Sequence, residues 1–323
     1  MRNNVLFLID KWCDARPDLS LSPFWPTLIG TFSQTQPKYK FNTLHFDESW
    51  LVYKKHIDDV VLNYCKHFKT DIIVATLLGG SAMNPSVECF RKLREMGIYI
   101  VIVWPDTGPG WGLNTINQYN DVVDLHISID NPASHYHDLL PKNEKHWLLW
   151  SPQDSHLYFK QDEKDIDVSF VGSPRYPDRQ LFLNYLLINY PQIVIRGGQR
   201  EEKLTPEKYA EYIRRSKISI NFSLSPAGFW QSKGRVFDIV CAGGLLLEHA
   251  NPATPRFFKP GEDYVEFSRP EDLLEKIHYF IQNEDERLKI AAQGNKTFME
   301  NYTAQHFWDK VLGRVQDEIA KKV

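Results

Sequence analysis

Short apolar runs alternate along this chain with stretches whose apolar residues recur at helical spacing, and that alternation restricts the fold more than any other feature. The runs Val5–Ile9, Asp71–Thr76, Tyr99–Trp104 and Val122–Ile129 read as strands. Between the second and third lies a predicted helix, Pro85–Met96, with Val87, Phe90, Leu93 and Arg94 spaced along one face. Gly97 closes it as a helix C-cap, and the next strand follows at once. Strand, helix, strand in that order builds parallel sheets covered by helices.

A polar stretch, Ser151–Asp165, reads as a linker, after which the alternation starts again. Strands are expected at Asp167–Val171, Gln192–Arg196, Ile218–Phe222 and Gly244–Glu248. Helices are expected at Asp178–Asn189, Pro206–Arg215 and Arg235–Cys241. Thr205 as N-cap and Pro206 at the first helical position make a firm helix start. Two further helices close the chain. Pro270–Gln282 carries Leu273, Leu274, Ile277, Phe280 and Ile281 on one face. Ala304–Lys321, capped by Thr303, carries Trp308, Val311, Leu312, Val315 and Ile319. A length of 323 residues suits two domains. We expect an α/β, doubly wound domain over 1–150, a second over 151–303, and a final helix, 304–323, packed back on the first. Ligands of such sheets bind at the carboxyl ends of the strands.

Charge and cysteine content narrow the function. The 38 basic and 41 acidic side chains argue against a protein that coats nucleic acid. Cys13, Cys65, Cys89 and Cys241 lie far apart with no CxxC pair, which signals neither a disulfide framework nor a zinc site. They read as small core residues of a reducing compartment. Val5–Ile9 is too short for a signal-peptide core, and no run approaches the roughly 20 apolar residues that span a bilayer. The expected location is cytoplasmic, and the sequons at Asn221, Asn295 and Asn301 are then chance matches.

Three strand-to-helix turns carry candidate chemistry. In Phe170–Arg179, Gly172 and Ser173 let a phosphate approach backbone N–H groups, with Arg175 or Arg179 to pair with it. In Arg196-Gly-Gly-Gln-Arg200, Gly197 permits the same close approach beside Arg196. The third turn is the most informative. It runs from Ser223 through Ser225 and Trp230 to a helix starting near Gly234, so Lys233 and Arg235 flank a helix N-terminus that favours an anion. Asp238 stands one turn further along, where an acid can accept from ribose hydroxyls. Glu248 ends the next strand on the same side. In the first half, Asp10 and Trp12 end the first strand, and Asp106 follows another in Val103–Pro109, placed to act as a base toward a hydroxyl. His126, His135, His137 and His156 are scattered and read as structural or surface residues. No GxGxxG follows the first strand, which speaks against a nicotinamide dehydrogenase.

From Asp167 to about Trp308 the chain resembles the C-terminal domain of the CgeB-like, spore-maturation family of glycosyltransferases, within the GT-B group. The matching pieces are Asp167–Gly172, Ser216–Asn221, Lys233–Asp238, Cys241–Leu247 and Phe258–Phe267. The segment around Trp104 and Asp106 resembles a Trp–Asp segment at the matching place in that family. The resemblance implies two Rossmann-like domains facing a central cleft, with the nucleotide on the C-terminal domain and the acceptor on the N-terminal one. It implies a hexosyl- or pentosyltransferase using a nucleotide-diphosphate sugar as co-substrate. The acceptor would be a hydroxyl on a glycan, protein or modified nucleic acid. Arg235 is implied at the donor diphosphate and Asp238 near the ribose. Related retaining transferases carry two glutamates eight residues apart; here Trp230 and Asp238 hold those positions. Retention is expected, as is independence of any metal or other cofactor, because Asp58-Asp59 lies in a helical stretch away from the basic turn. A sugar-nucleotide epimerase or hydrolase, or a non-catalytic binding protein of the same fold, are the alternative readings.

Overall fold

Six parallel strands form the first sheet: β1 (Asn4–Ile9), β2 (Lys40–His45), β3 (Ile72–Ala75), β4 (Tyr99–Trp104), β5 (Leu125–Ser128) and β6 (His146–Leu148). Their order is β2-β1-β3-β4-β5-β6. β4 is buried along its whole length, which is why its sequence is a continuous apolar run. β2 lies at the sheet edge and exposes Lys40 and Asn42, so it carries no such run. Around the sheet lie α1 (Thr31–Thr35), α2 (Phe46–Tyr53), α3 (Asp58–Phe68), α4 (Val87–Glu95) and α5 (Trp111–Tyr119). On one face Leu6, Leu8, Ile73 and Ile100 pack with Val61 of α3 and with Phe90 and Leu93 of α4. Ser86 caps α4, accepting from the Cys89 N–H at 3.0 Å.

The computed structural model describes residues 3–107, 111–130, 144–197, 204–225 and 228–321. Gly198–Arg200, His135 and His137 lie outside them. The chain divides into two units, Met1–Trp150 with Ala304–Val323, and Ser151–Thr303.

The second unit holds β7 (Ile166–Val171), α6 (Pro177–Asn189), β8 (Val194–Arg196), α7 (Pro206–Arg215), β9 (Ser216–Asn221), α8 (Gly234–Cys241), β10 (Leu245–His249) and β11 (Val265–Phe267), followed by α9 (Pro270–Gln282) and α10 (Glu284–Asn301). Its five parallel strands run in the order β11-β10-β9-β7-β8. The chain winds outward from β7 to β8, then crosses to β9 on the other side of β7. The winding therefore reverses between β7 and β9, the place where open parallel sheets take their ligands. The core brings Val168, Phe170, Ile218, Ile220, Leu245 and Leu247 together with Phe182, Leu183 and Leu186 of α6 and with Leu273 and Ile277 of α9.

Two expectations are corrected. Ser151–Asp165 is not a free linker. Cys241 Sγ bonds the Tyr158 carbonyl, Gln153 bonds the Gly234 carbonyl, and Lys164 bonds the carbonyls of Arg214 and Ala242, all within the second unit. Three helices rather than two close the chain, because α10 follows α9 after a break at Asn283. The last of them, α11 (Ala304–Lys321), belongs to the first unit. There Trp308 packs edge-on against Phe7 and Phe32 and donates its indole N–H to Thr31 Oγ1 at 2.9 Å.

Candidate anion site

Arg235 lies in the first turn of α8, and its guanidinium reaches back to the end of β7. There it rests on the bare Cα of Gly172: a Cβ at that position would lie 2.2 Å from Arg235 Nη2 and 2.8 Å from Cζ. The Gly172 N–H is spent on the Arg196 carbonyl of β8, at 2.7 Å, which fixes the backbone that seats the guanidinium. The Phe170 ring lies 5.2 Å from it. Arg235 Nε donates to Tyr209 Oη at 2.9 Å and Nη1 to Asn221 Oδ1 at 2.8 Å. Among the described residues no carboxylate pairs with it.

Arg179 of α6 sits close by and is also without a carboxylate partner among the described residues. It is 5% exposed, packs on the Tyr176 ring, and donates to the carbonyls of Ser173 and Phe222 at 3.1 and 3.3 Å. Burial, and then the charge of Arg235, pull its pKa down to about 10. Two guanidiniums that repel one another at the carboxyl ends of β7 and β9 favour an anion between the strand ends. Lys233 stands at the N-cap of α8, half-buried, two residues before Arg235. Ser232, fully buried just before it, has a hydroxyl with no partner among the described residues.

The two acids expected to meet a ligand are turned inward instead. Glu248 is completely buried. It accepts from Asn221 Nδ2 at 2.7 Å, Ser223 Oγ at 2.6 Å and Asn251 Nδ2 at 3.0 Å. Burial raises its carboxyl to about 7 against these stabilising hydrogen bonds. Asp238, 7% exposed, bonds the hydroxyls of Tyr209 and Tyr158 and is likewise raised by burial to about 7. Each acid lies behind a neutral residue that touches Arg235. Asn221 and Tyr209, neither singled out from the sequence, thus belong to the site. A polar side chain at the carboxyl end of β9 was the available signal for Asn221.

A pocket of about 240 Å³ opens beside this cluster, lined among others by Tyr176, Asp178, Arg179, Phe222, Ser225 and His249. His249 stacks on Phe267 at 5.5 Å and meets Trp230 edge-on at 5.4 Å, and burial lowers its pKa. The loop that bears Ser225 is closed by the Ser225 N–H to the Phe229 carbonyl at 2.8 Å. Arg196 turns away from the cluster. Its guanidinium lies over Tyr212 of α7 and bonds that hydroxyl at 3.3 Å, while Gly197 continues from β8 with φ of 81°.

In the first unit, Asp10 and Asp106 both stand at carboxyl ends of strands, after β1 and β4. Asp10 is buried, accepts from Thr76 Oγ1 at 3.0 Å, and is raised to about 6 by desolvation. Trp12 gives its backbone N–H to Asp47, and Lys11 lies over its ring. Asp106 is half-buried in the turn after β4, where the neighbouring Thr107 is anchored through its N–H and its hydroxyl to the Asp130 carboxylate. His126 is a packed core residue: Trp104 Nε1 donates to its Nδ1 at 2.9 Å, and burial drops its pKa to about 3. Among the described residues, no group of three His, Cys, Asp or Glu is placed to hold a metal ion, and no helix is long and apolar enough to cross a membrane.

Comparison with known proteins adds to this geometry. Residues 156–313 match the family model described as "Glycosyl transferase-like". Among solved structures, HepE from Anabaena, in complex with UDP and glucose, superposes with a TM-score of 0.67 at 11% identity, covering 98% of this chain and 100% of that one. Sucrose-phosphate synthase from Thermosynechococcus elongatus gives 0.64 at 9% identity, over 99% and 100%. A glycosyltransferase from Rickettsia africae gives 0.59 at 10% identity, over the whole of both chains. No curated protein sequence matches this chain. At such identities the likeness is one of fold: each unit is a Rossmann-like domain of the GT-B type.

Proposed function

We propose that this GT-B chain is a glycosyltransferase of the CgeB-like kind, acting in the cytoplasm. It moves a hexose or pentose from a nucleotide-diphosphate sugar to a hydroxyl acceptor, with retention and without a metal. One observation carries the reading. Arg235 and Arg179 crowd together where the second sheet reverses, with no carboxylate in direct contact with either among the described residues, Asp238 and Glu248 standing one residue back, and with the bare Cα of Gly172 as a seat. Two guanidiniums so placed are stabilised further when an anion completes the site. The family match over 156–313 and the UDP bound by a protein of this fold support a nucleoside diphosphate as that anion.

In this reading the guanidiniums and the first N–H groups of α8 stabilise the diphosphate as it leaves, the role a metal plays elsewhere. The adjoining pocket, with Ser225 and Asp178 for hydroxyls and Tyr176 and His249 for ring faces, takes the sugar. Asp106 of the first unit serves as the base toward the acceptor hydroxyl. Calorimetry with UDP, GDP, ADP, CDP and TDP tests the donor site, and binding of none of them overturns it. Transfer is expected to survive EDTA; loss that magnesium or manganese restores would refute the electrostatic mechanism. Consumption of donor with no acceptor present would mark an epimerase or hydrolase instead.

A further inference from the structure

A guanidinium only donates, so the groups around it decide how much of its charge is left for a ligand. Around Arg235 the acceptors are neutral: Tyr209 Oη for Nε and Asn221 Oδ1 for Nη1. Each is backed by a buried acid, Asp238 behind Tyr209 and Glu248 behind Asn221. The chain through Asn221 has a fixed direction. Asn251 takes the N–H groups of Ala253 and Thr254 on its oxygen, so its NH2 faces Glu248. Glu248 in turn accepts the NH2 of Asn221, which leaves the Asn221 oxygen for Arg235. Nη2, the nitrogen nearest Gly172, has no acceptor among the described residues.

We infer that Asn221 and Tyr209 are positioning residues that hold Arg235 at Gly172 without neutralising it, so that its charge is presented to the bound anion. The inference rests on the diphosphate reading of this site. A carboxylate in direct contact would fix the guanidinium as firmly, but it would compete with the ligand through charge-assisted bonds of its own. Setting the acids one residue back keeps the geometry and spares the charge.

Asn221→Asp replaces an amide by a carboxylate of nearly the same shape, and Tyr209→Phe deletes one hydroxyl. Both variants, shown to be folded by circular dichroism and thermal melting, are titrated by calorimetry with UDP and the other four nucleoside diphosphates, and with inorganic pyrophosphate. Asn221→Asp is expected to bind about 10–100-fold more weakly, the worth of one charge-assisted hydrogen bond, and Tyr209→Phe several-fold more weakly. A purely structural role would lower the melting temperature and leave the affinity of the folded protein as it was. Unchanged affinity in the folded variants overturns the inference while leaving the donor reading standing. Wild-type protein that binds pyrophosphate but no nucleoside diphosphate ends the donor reading, and weaker pyrophosphate binding by Asn221→Asp then still supports the positioning role. Wild-type protein that binds neither ends both. If Asn221→Asp does not fold, Tyr209→Phe decides.

Discussion

Arg235 concentrates the chemistry of the second unit in one side chain, and substitutions there separate charge from shape. Arg235→Ala is expected to lose about 2–4 kcal/mol of transition-state stabilisation, as for other preorganised donors, read from kcat/KM. Arg235→Lys keeps the charge but cannot hold Tyr209 and Asn221 together, and should also be impaired. Gly172→Ala tests the seat: its methyl would overlap Nη2, so the guanidinium must move, and turnover should fall although no charged residue is lost. Near wild-type kinetics in Arg235→Ala would remove the residue from the site. The strand–turn–helix pattern made Gly172, Lys233 and Arg235 legible in the sequence. Tyr209 and Asn221 were not, because they reach Arg235 from a separate helix and strand end, and only the sheet order brings them together. Asp238 and Glu248 were visible as acids, but nothing in a linear pattern tells that both face inward.

At the scale of elements, the two helices announced by an N-cap threonine, Pro206–Arg215 and Ala304–Lys321, were read to the residue, and the Thr205 side chain accepts from the Lys208 N–H. The helix read as Pro85–Met96 runs from Val87 to Glu95 because Ser86 caps it. Thr205→Ala should cost about 1 kcal/mol. The elements that escaped reading lacked such signals. β2 is an exposed edge, β6 is three residues long, and α10 has no side-chain cap and carries Gly294 in its interior. That glycine is there for contact. A Cβ on it would stand 2.3 Å from the Asp263 carbonyl oxygen. Alanine in a helix interior ordinarily gains about 1 kcal/mol over glycine. Here Gly294→Ala should instead destabilise by about 1–3 kcal/mol, the usual toll of overpacking. Chemical denaturation measures the sign, and a stabilised variant would show that α10 is free to shift.

For the molecule as a whole, three buried acids set a pH dependence. Asp10 titrates near 6, and Asp238 and Glu248 near 7, each raised by burial. Their unfolded-state values lie near 4. Through these three acids the folded protein binds more protons than the unfolded chain between about pH 4 and 7, and their contribution to stability falls as pH rises through that window. His126 and His249, lowered by burial, offset part of it below about pH 6.5. The melting temperature should be higher at pH 5 than at pH 8, and Glu248→Gln should narrow the difference; an unchanged difference would show that Glu248 is charged throughout. The division of the chain has a temporal consequence as well. Because the first unit comprises Met1–Trp150 and Ala304–Val323, its strands leave the ribosome long before the helix that covers Phe7 and Phe32. The stretch 151–303 is uninterrupted, whereas the earlier-made unit must wait, one apolar face uncovered, until Ala304–Lys321 has been made. A nascent protein stalled before Trp308 is thus a natural client for a chaperone.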